Sequence, residues 1–136
     1  MKTKIMFLTL GLILFLASCK QMQPIAATTA KKGMIKVTIL YPNSEGKTFD
    51  MDYYTNKHMP MLANVLGDSL KFYTIDKGIS GRTPDDTIPY LAIGYLYFDK
   101  LSEYRNAFAP NAEKIVGDIP NYTNIQPVVQ ISEVIE

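Results

Sequence analysis

The sequence predicts an α+β domain with two helices packed on one face of an antiparallel sheet. Three observations predict it. Residues 34–41 alternate apolar and polar with period two, and 90–98 are apolar on both faces. Apolar and aromatic residues recur at helical spacing in two segments, after Asp50 and after Asp99. Turn formers separate these blocks in the order strand, helix, strand, strand, helix, strand.

The elements follow in turn. Residues 34–41 put Ile35, Val37, Ile39 and Tyr41 on one face and Met34, Lys36, Thr38 and Leu40 on the other, with β-branched residues favouring the strand. Residues 42–46, PNSEG, form a loop. A helix is expected from about Asp50 to Leu66, because Asp50 can cap free amides of the first turn and Gly67 can end the element. Residues 70–79 read as a second strand, 80–89 (SGRTPDDTIP) as a polar loop, and 90–98 (YLAIGYLYF) as a central strand. Leu101, Tyr104 and Phe108 mark a second helix, with Asp99 as its expected cap and Pro110 expected to kink or restart it. Residues 117–127, with two prolines and a glycine, read as irregular, and 128–135 as the last strand.

The order β-α-β-β-α-β is that of the split βαβ, or ferredoxin-like, arrangement. Its helices cover one sheet face only. The other face is also apolar, judging by residues 90–98, and a second copy packed back to back would cover it. A homodimer through the sheet face is therefore expected.

The N-terminus stands apart from this domain. Lys2 and Lys4 precede an apolar stretch at 5–16, which as a helix would span about 18 Å. A hydrocarbon core of about 30 Å needs more, so the stretch reads as a secretion signal. Leu16-Ala17-Ser18-Cys19 resembles the bacterial lipobox, which implies cleavage before Cys19 and lipid on its sulfur. The alternative is an ordinary signal with an incidental cysteine. Residues 1–18 are thus expected to be a lipoprotein signal peptide, 19–33 a lipidated cysteine and flexible tether, and 34–136 the domain. Lys20 after the cysteine, where inner-membrane retention would call for Asp, points to the outer membrane facing the periplasm. Cleavage would remove two of the 14 basic residues, Lys2 and Lys4, and none of the 13 acidic ones. The mature chain is then close to neutral. Lipid rather than a basic patch would hold it to membrane, and nucleic acid is not an expected partner.

The chemistry concentrates in FDMDYYTNKHMP, 49–60, which contains the sole histidine. Asp50, Tyr54 and His58 fall at i, i+4, i+8 on one stripe, so the Tyr54 ring and the imidazole are neighbours. Phe49 can staple back onto Tyr54. Pro60 disfavours helical geometry at Met59, which would place His58 near a break. The pattern F-D-x-x-Y-Y-x-x-x-H-x-P, carried by Phe49, Asp50, Tyr53, Tyr54, His58 and Pro60, resembles the EthD family of dimeric α/β-barrel proteins. The tail 118–134, DIPNYTNIQPVVQISEV, is similar to the family's C-terminal segment, so the likeness spans 34–135. The resemblance implies a ferredoxin-like fold that dimerises through its sheets, and a pocket between sheet and helices faced by His58. It also implies the family's usual label of reductase or oxidoreductase, first attached to degradation of ethyl tert-butyl ether.

Two functions compete, beside a bland third in which the chain is a dimeric envelope domain with no small ligand. In the first, His58 is a general acid or base on a small apolar molecule bearing a carbonyl or phenol, with Tyr54 orienting it or donating a proton. Tyr53 and Met61 are expected to line the pocket. In the second, the chain is a lipid-anchored module that binds such a molecule without converting it. A histidine that merely caps the broken helix is the plainest reading of the position. No cofactor is expected: GxGxxG, GxxxxGK[ST] and GxSxG are missing from the sequence, and one His with one Cys makes no typical zinc site.

Overall fold

The computed structural model describes residues 29–136. The expected signal peptide, Cys19 and most of the expected tether therefore lie outside the described residues. Among the described residues no helix is long and apolar enough to cross a membrane.

Four strands, β1 (Ile35–Pro42), β2 (Phe72–Lys77), β3 (Tyr90–Phe98) and β4 (Val128–Glu133), form one sheet in the order β2-β3-β1-β4. Every neighbouring pair is antiparallel. This is the ferredoxin-like order, with the two strands that precede the helices at the centre. The register sets the faces. Val37 lies opposite Leu96 and Ile131, and Tyr41 opposite Ala92, on the helix side. Thr38 lies opposite Tyr95 and Gln130, and Phe72 opposite Tyr97, on the open side. On that open face Phe72 and Tyr97 stack with centroids 4.2 Å apart.

The first helical segment is one continuous run with a wide turn inside it. It comprises α1 (Met51–Tyr53), a π turn (Tyr54–His58) and α2 (Met59–Leu66). Asp50 is the N-cap, its carboxylate accepting from Tyr53 N–H at 2.9 Å. Gly67 ends α2 with φ of +54°, a conformation that favours glycine. The expected break at Pro60 does not occur, because Met59 is helical (φ −66°, ψ −39°). Pro60 sits in the first turn of α2, where its missing N–H matters least. The Met59 N–H reaches back five residues to the Tyr54 carbonyl, so the backbone widens rather than stops.

The second helical segment begins with α3 (Leu101–Phe108). Its N-cap is Lys100, not Asp99, and no side chain caps it. Pro110 restarts the helix as expected: a 3-10 turn at Ala109–Asn111 leads into α4 (Ala112–Gly117). The segment expected to be irregular from 117 onward carries another 3-10 turn, Ile119–Asn121. The core lies between helices and sheet, built on Val37, Tyr41, Leu96 and Phe98 from the strands and Tyr54, Met59, Leu62 and Leu66 from the helix. The helices cover β4 poorly, so Val129 and Ile131 on its helix side stay 52% and 43% exposed.

Candidate functional site

His58 lies at the inner wall of the helix, 3% exposed. Its ring stacks on Tyr54, centroids 5.5 Å apart and planes 16° apart, which is the i, i+4 neighbourhood expected from the stripe. Phe49 packs edge-on against Tyr54 at 5.1 Å, fixing the chain's entry into the helix.

The partners of the imidazole come from the far end of the sequence. Nδ1 pairs with Asp118 Oδ2 at 2.8 Å, and Nε2 lies 3.4 Å from the Tyr122 hydroxyl. The Tyr122 hydroxyl also bonds that of Tyr41, at 2.8 Å. Asp118, Ile119 and Pro120 lead through the 3-10 turn to Tyr122, so a short segment delivers both groups.

A set of backbone and side-chain bonds zips that segment to the helix start. Asp50 N–H donates to Tyr122 O at 2.7 Å, Thr123 Oγ1 donates to Thr48 O at 2.7 Å and accepts from Ile125 N–H at 3.1 Å, and Asn124 Oδ1 accepts from Thr48 N–H at 3.0 Å.

Burial pushes the imidazole below the usual histidine range, and the Asp118 carboxylate opposes that only in part. Burial pulls the Asp118 carboxyl upward, but hydrogen bonds from His58, Asn121 and Tyr53 outweigh it and hold the group below the ordinary carboxylate value. At neutral pH the pair is therefore a neutral imidazole on an ionised carboxylate. Burial raises Tyr41, Tyr54 and Tyr122 far above the ordinary phenol value, so none of them stands as a phenolate.

A cavity of about 160 Å³ lies between sheet and helices beside this cluster. Val37, Ile39 and Leu96 floor it, Leu62, Phe108 and Ile115 cover it, and Tyr41 and His58 stand at one end. Val116, Gln126 and Val129, all exposed, rim its outer end at the poorly covered β4. Among the described residues no Asp, Glu, Lys or Arg lines it. A charged ligand would lose its hydration there without compensation, whereas a neutral one of about one aromatic ring would fit.

The other expected site residues fall elsewhere. Tyr54 is fully buried, and its hydroxyl makes no well-aligned hydrogen bond among the described residues. It holds the imidazole by stacking, while the hydroxyl that reaches Nε2 belongs to Tyr122. Tyr53 faces outward, its hydroxyl donating to Asp118 Oδ1 at 2.9 Å, and neither it nor Met61 lines the cavity. Tyr53 thus supports the carboxylate that supports His58. The His58 side chain caps no helix, since both ring nitrogens face side chains rather than helix carbonyls. Asp118 carried no local signal, lying 60 residues from the histidine it holds. Among the described residues no three His, Cys, Asp or Glu side chains gather as metal ligands.

Known proteins resemble this architecture. The EthD domain model matches residues 44–126, which include His58, Asp118 and Tyr122. An EthD-like protein of Ralstonia eutropha JMP134, known as a crystal structure, is 40% identical over 78% of this chain and 96% of its own, with a TM-score of 0.74. An ethyl tert-butyl ether D (EthD) family protein of Bacillus halodurans C-125 shares the fold at 16% identity, covering 75% of this chain and 99% of its own, with a TM-score of 0.53. The chain matches no curated protein. With the domain model spanning more than half of the sequence and a solved relative of this identity alongside it, the chain belongs to the EthD family.

Proposed function

We propose that this chain takes a small neutral molecule, with one phenol or carbonyl on an apolar body, into the cavity beside His58 and moves a proton to or from it. The observation that carries the reading is the sole imidazole of the sequence, neutral and anchored on an ionised Asp118, at the polar end of an otherwise uncharged cavity. A base held in one tautomer by a carboxylate is a common device for proton transfer. The cavity volume sets the scale of the ligand at about one ring. The groups present are those of acid–base chemistry, which supports that half of the acid–base or oxidoreductase alternative.

The competing reading is a binding module without turnover. The observation in its favour is that both ring nitrogens already have partners. Proton NMR on the purified protein separates the readings, because one histidine gives signals that need no assignment. The imidazole is titrated alone and with small phenols and ketones. The expected result is an apparent pKa below the ordinary value that moves again with one compound, with turnover lost in His58→Gln. A pKa at the ordinary value, indifferent to every compound, refutes the proposal. Ligand affinity unchanged in His58→Gln, without turnover by the wild type, favours the binder.

Two features complete the reading. The open sheet face, with Phe72, Ile93, Tyr95 and Tyr97 in register beside Leu40 and Val128, packs against a second copy, and sedimentation measures that directly. Lipid on Cys19 holds the protein to the cell envelope, on the periplasmic side of the outer membrane. Cys19→Ala should then abolish incorporation of labelled fatty acid and release the protein from the membrane fraction.

A further inference from the structure

One arrangement of the hydrogens gives both imidazole nitrogens of the buried cluster a partner. An ionised Asp118 accepts only, so His58 Nδ1 carries the hydrogen between them. In the neutral ring Nε2 is then bare, and Tyr122, at 3.4 Å, donates to it. That distance is long, as such contacts often are before a ligand closes the site. Tyr122 has one hydrogen and has spent it, so Tyr41 donates to Tyr122 across 2.8 Å. Both imidazole nitrogens are thereby occupied. Tyr41, unlike Tyr122, lines the cavity, and its oxygen keeps an unused lone pair. The neighbouring Tyr54 hydroxyl is close enough to act on Tyr41 but forms no well-aligned hydrogen bond with any of the described residues.

We propose that Tyr41, not His58, meets the reacting hydrogen of the ligand, and that Tyr122 passes a proton on from Tyr41 to His58 Nε2. This rests on the reading of the cavity as a ligand site. The ligand X–H bond breaks as a new Tyr41 O–H bond forms. The original Tyr41 hydrogen moves to Tyr122, and the Tyr122 hydrogen moves to Nε2. Three protons each shift by one place, and no electron is gained or lost. The products are the ligand anion, its charge met by the new Tyr41 O–H that donates to it, and an imidazolium paired with the Asp118 carboxylate. The three transfers are concerted, because deep burial leaves neither tyrosine able to stand as a phenolate. Tyr41 is then the catalytic residue, while Tyr122 and Asp118 act through others. The arrangement selects ligands that donate a hydrogen.

Phenol and benzene test this as a matched pair of probes, one with a donor and one without, each within the cavity's size. Affinities are measured calorimetrically and the Nε2 resonance by nitrogen-15 NMR, on the wild type, Tyr41→Phe and Tyr122→Phe. The histidine signal also reports that each variant is folded. We expect phenol to bind the wild type about tenfold more tightly than benzene, the worth of one good hydrogen bond, and to shift Nε2. Tyr41→Phe should abolish both effects. Tyr122→Phe should keep the preference for phenol but leave Nε2 unresponsive. If Tyr41→Phe keeps both the preference and the Nε2 response, the ligand meets His58 directly; the relay is wrong while the cavity reading stands. If Nε2 still responds in Tyr122→Phe, Tyr122 is not the conductor. If neither probe binds the wild type, the cavity reading falls and the relay with it.

Discussion

Gly94 in β3 should be unable to accept even one methyl group, and the reason is a single oxygen. A Cβ built at Gly94 points straight at the Tyr54 hydroxyl, while the next nearest atoms, Tyr54 Cζ at 3.6 Å and Ile39 Cβ at 3.9 Å, lie at ordinary contact distance. The Tyr54 ring cannot swing aside. Tyr41 at 5.4 Å, Phe49 at 5.1 Å, Tyr122 at 5.2 Å and His58 at 5.5 Å enclose it. Overpacking of such a core costs about 1–3 kcal/mol, offset by at most about 1 kcal/mol from replacing glycine within a strand. Gly94→Ala should therefore lose about 1–2 kcal/mol net, or roughly 4–15 °C in Tm for a domain of this size. Tyr54→Phe removes the colliding oxygen, which is buried and forms no well-aligned hydrogen bond with the described residues. Alone it should be neutral or stabilising by up to about 1 kcal/mol. Combined with Gly94→Ala it should bring stability back to within about 0.5 kcal/mol of the wild type, a coupling larger than independent sites show. Urea denaturation of all four proteins measures the cycle. If Gly94→Ala is harmless, or if Tyr54→Phe fails to rescue it, the account of that packing is wrong.

Three further outcomes follow from the site. Because folding lowers the His58 pKa below the 6.5 of the unfolded chain, protons load the unfolded state first, and stability should fall as pH drops through 6.5 towards the folded value. The loss is about 1.4 kcal/mol per unit of difference, and urea midpoints between pH 5 and pH 8 should show it in the wild type and not in His58→Gln. Asp118→Asn removes the one carboxylate that props the imidazole up, so the histidine titration should move to still lower pH, and stability should drop by about 1.5–3 kcal/mol as charge-assisted bonds are lost. Thr123→Val strands the Thr48 carbonyl and the Ile125 amide that its hydroxyl serves, at a cost of about 1–3 kcal/mol, and hydrogen exchange should quicken at the start of α1, where this segment is tied.

Much of the fold was legible because it is written in local periods. The alternation of 34–41 sorted its residues onto the two faces that the sheet shows, and Gly67 and Pro110 marked an end and a restart. Pro60 misled, since a proline rule built for α-helices does not anticipate a π turn that absorbs the strain one turn earlier. Asp99 misled in a milder way, because the cap position falls one residue later, at Lys100. In the site, the Tyr54–His58 neighbourhood was legible for the same local reason. Asp118 and Tyr122 were not, for their roles arise only when the 118–125 segment is laid against the helix start. Tyr53 illustrates the same limit: its helical position was plain, but that its hydroxyl serves Asp118 depends on a residue 65 positions away.

The π turn explains why fold and site share residues. Tyr54, His58, Leu62 and Leu66 recur every four positions, and all four are at most 3% exposed. In an α-helix of 3.6 residues per turn, each such step advances the stripe by about 40°, so three steps would carry it about 120° around the axis. A stripe that long cannot stay on one flat contact with the sheet. The wide turn at Tyr54–His58 takes back part of the drift, which lets Tyr54 reach β3 at Gly94 while Leu62 and Leu66 still reach the core. His58 is the residue on which the widening ends, held between the Tyr54 ring and Asp118. Straightening the turn would return the stripe to its drift and pull either Tyr54 or Leu62 from its place. The geometry that aims the imidazole is thus maintained by the burial of the apolar residues around it, and the site keeps its shape for as long as the core does.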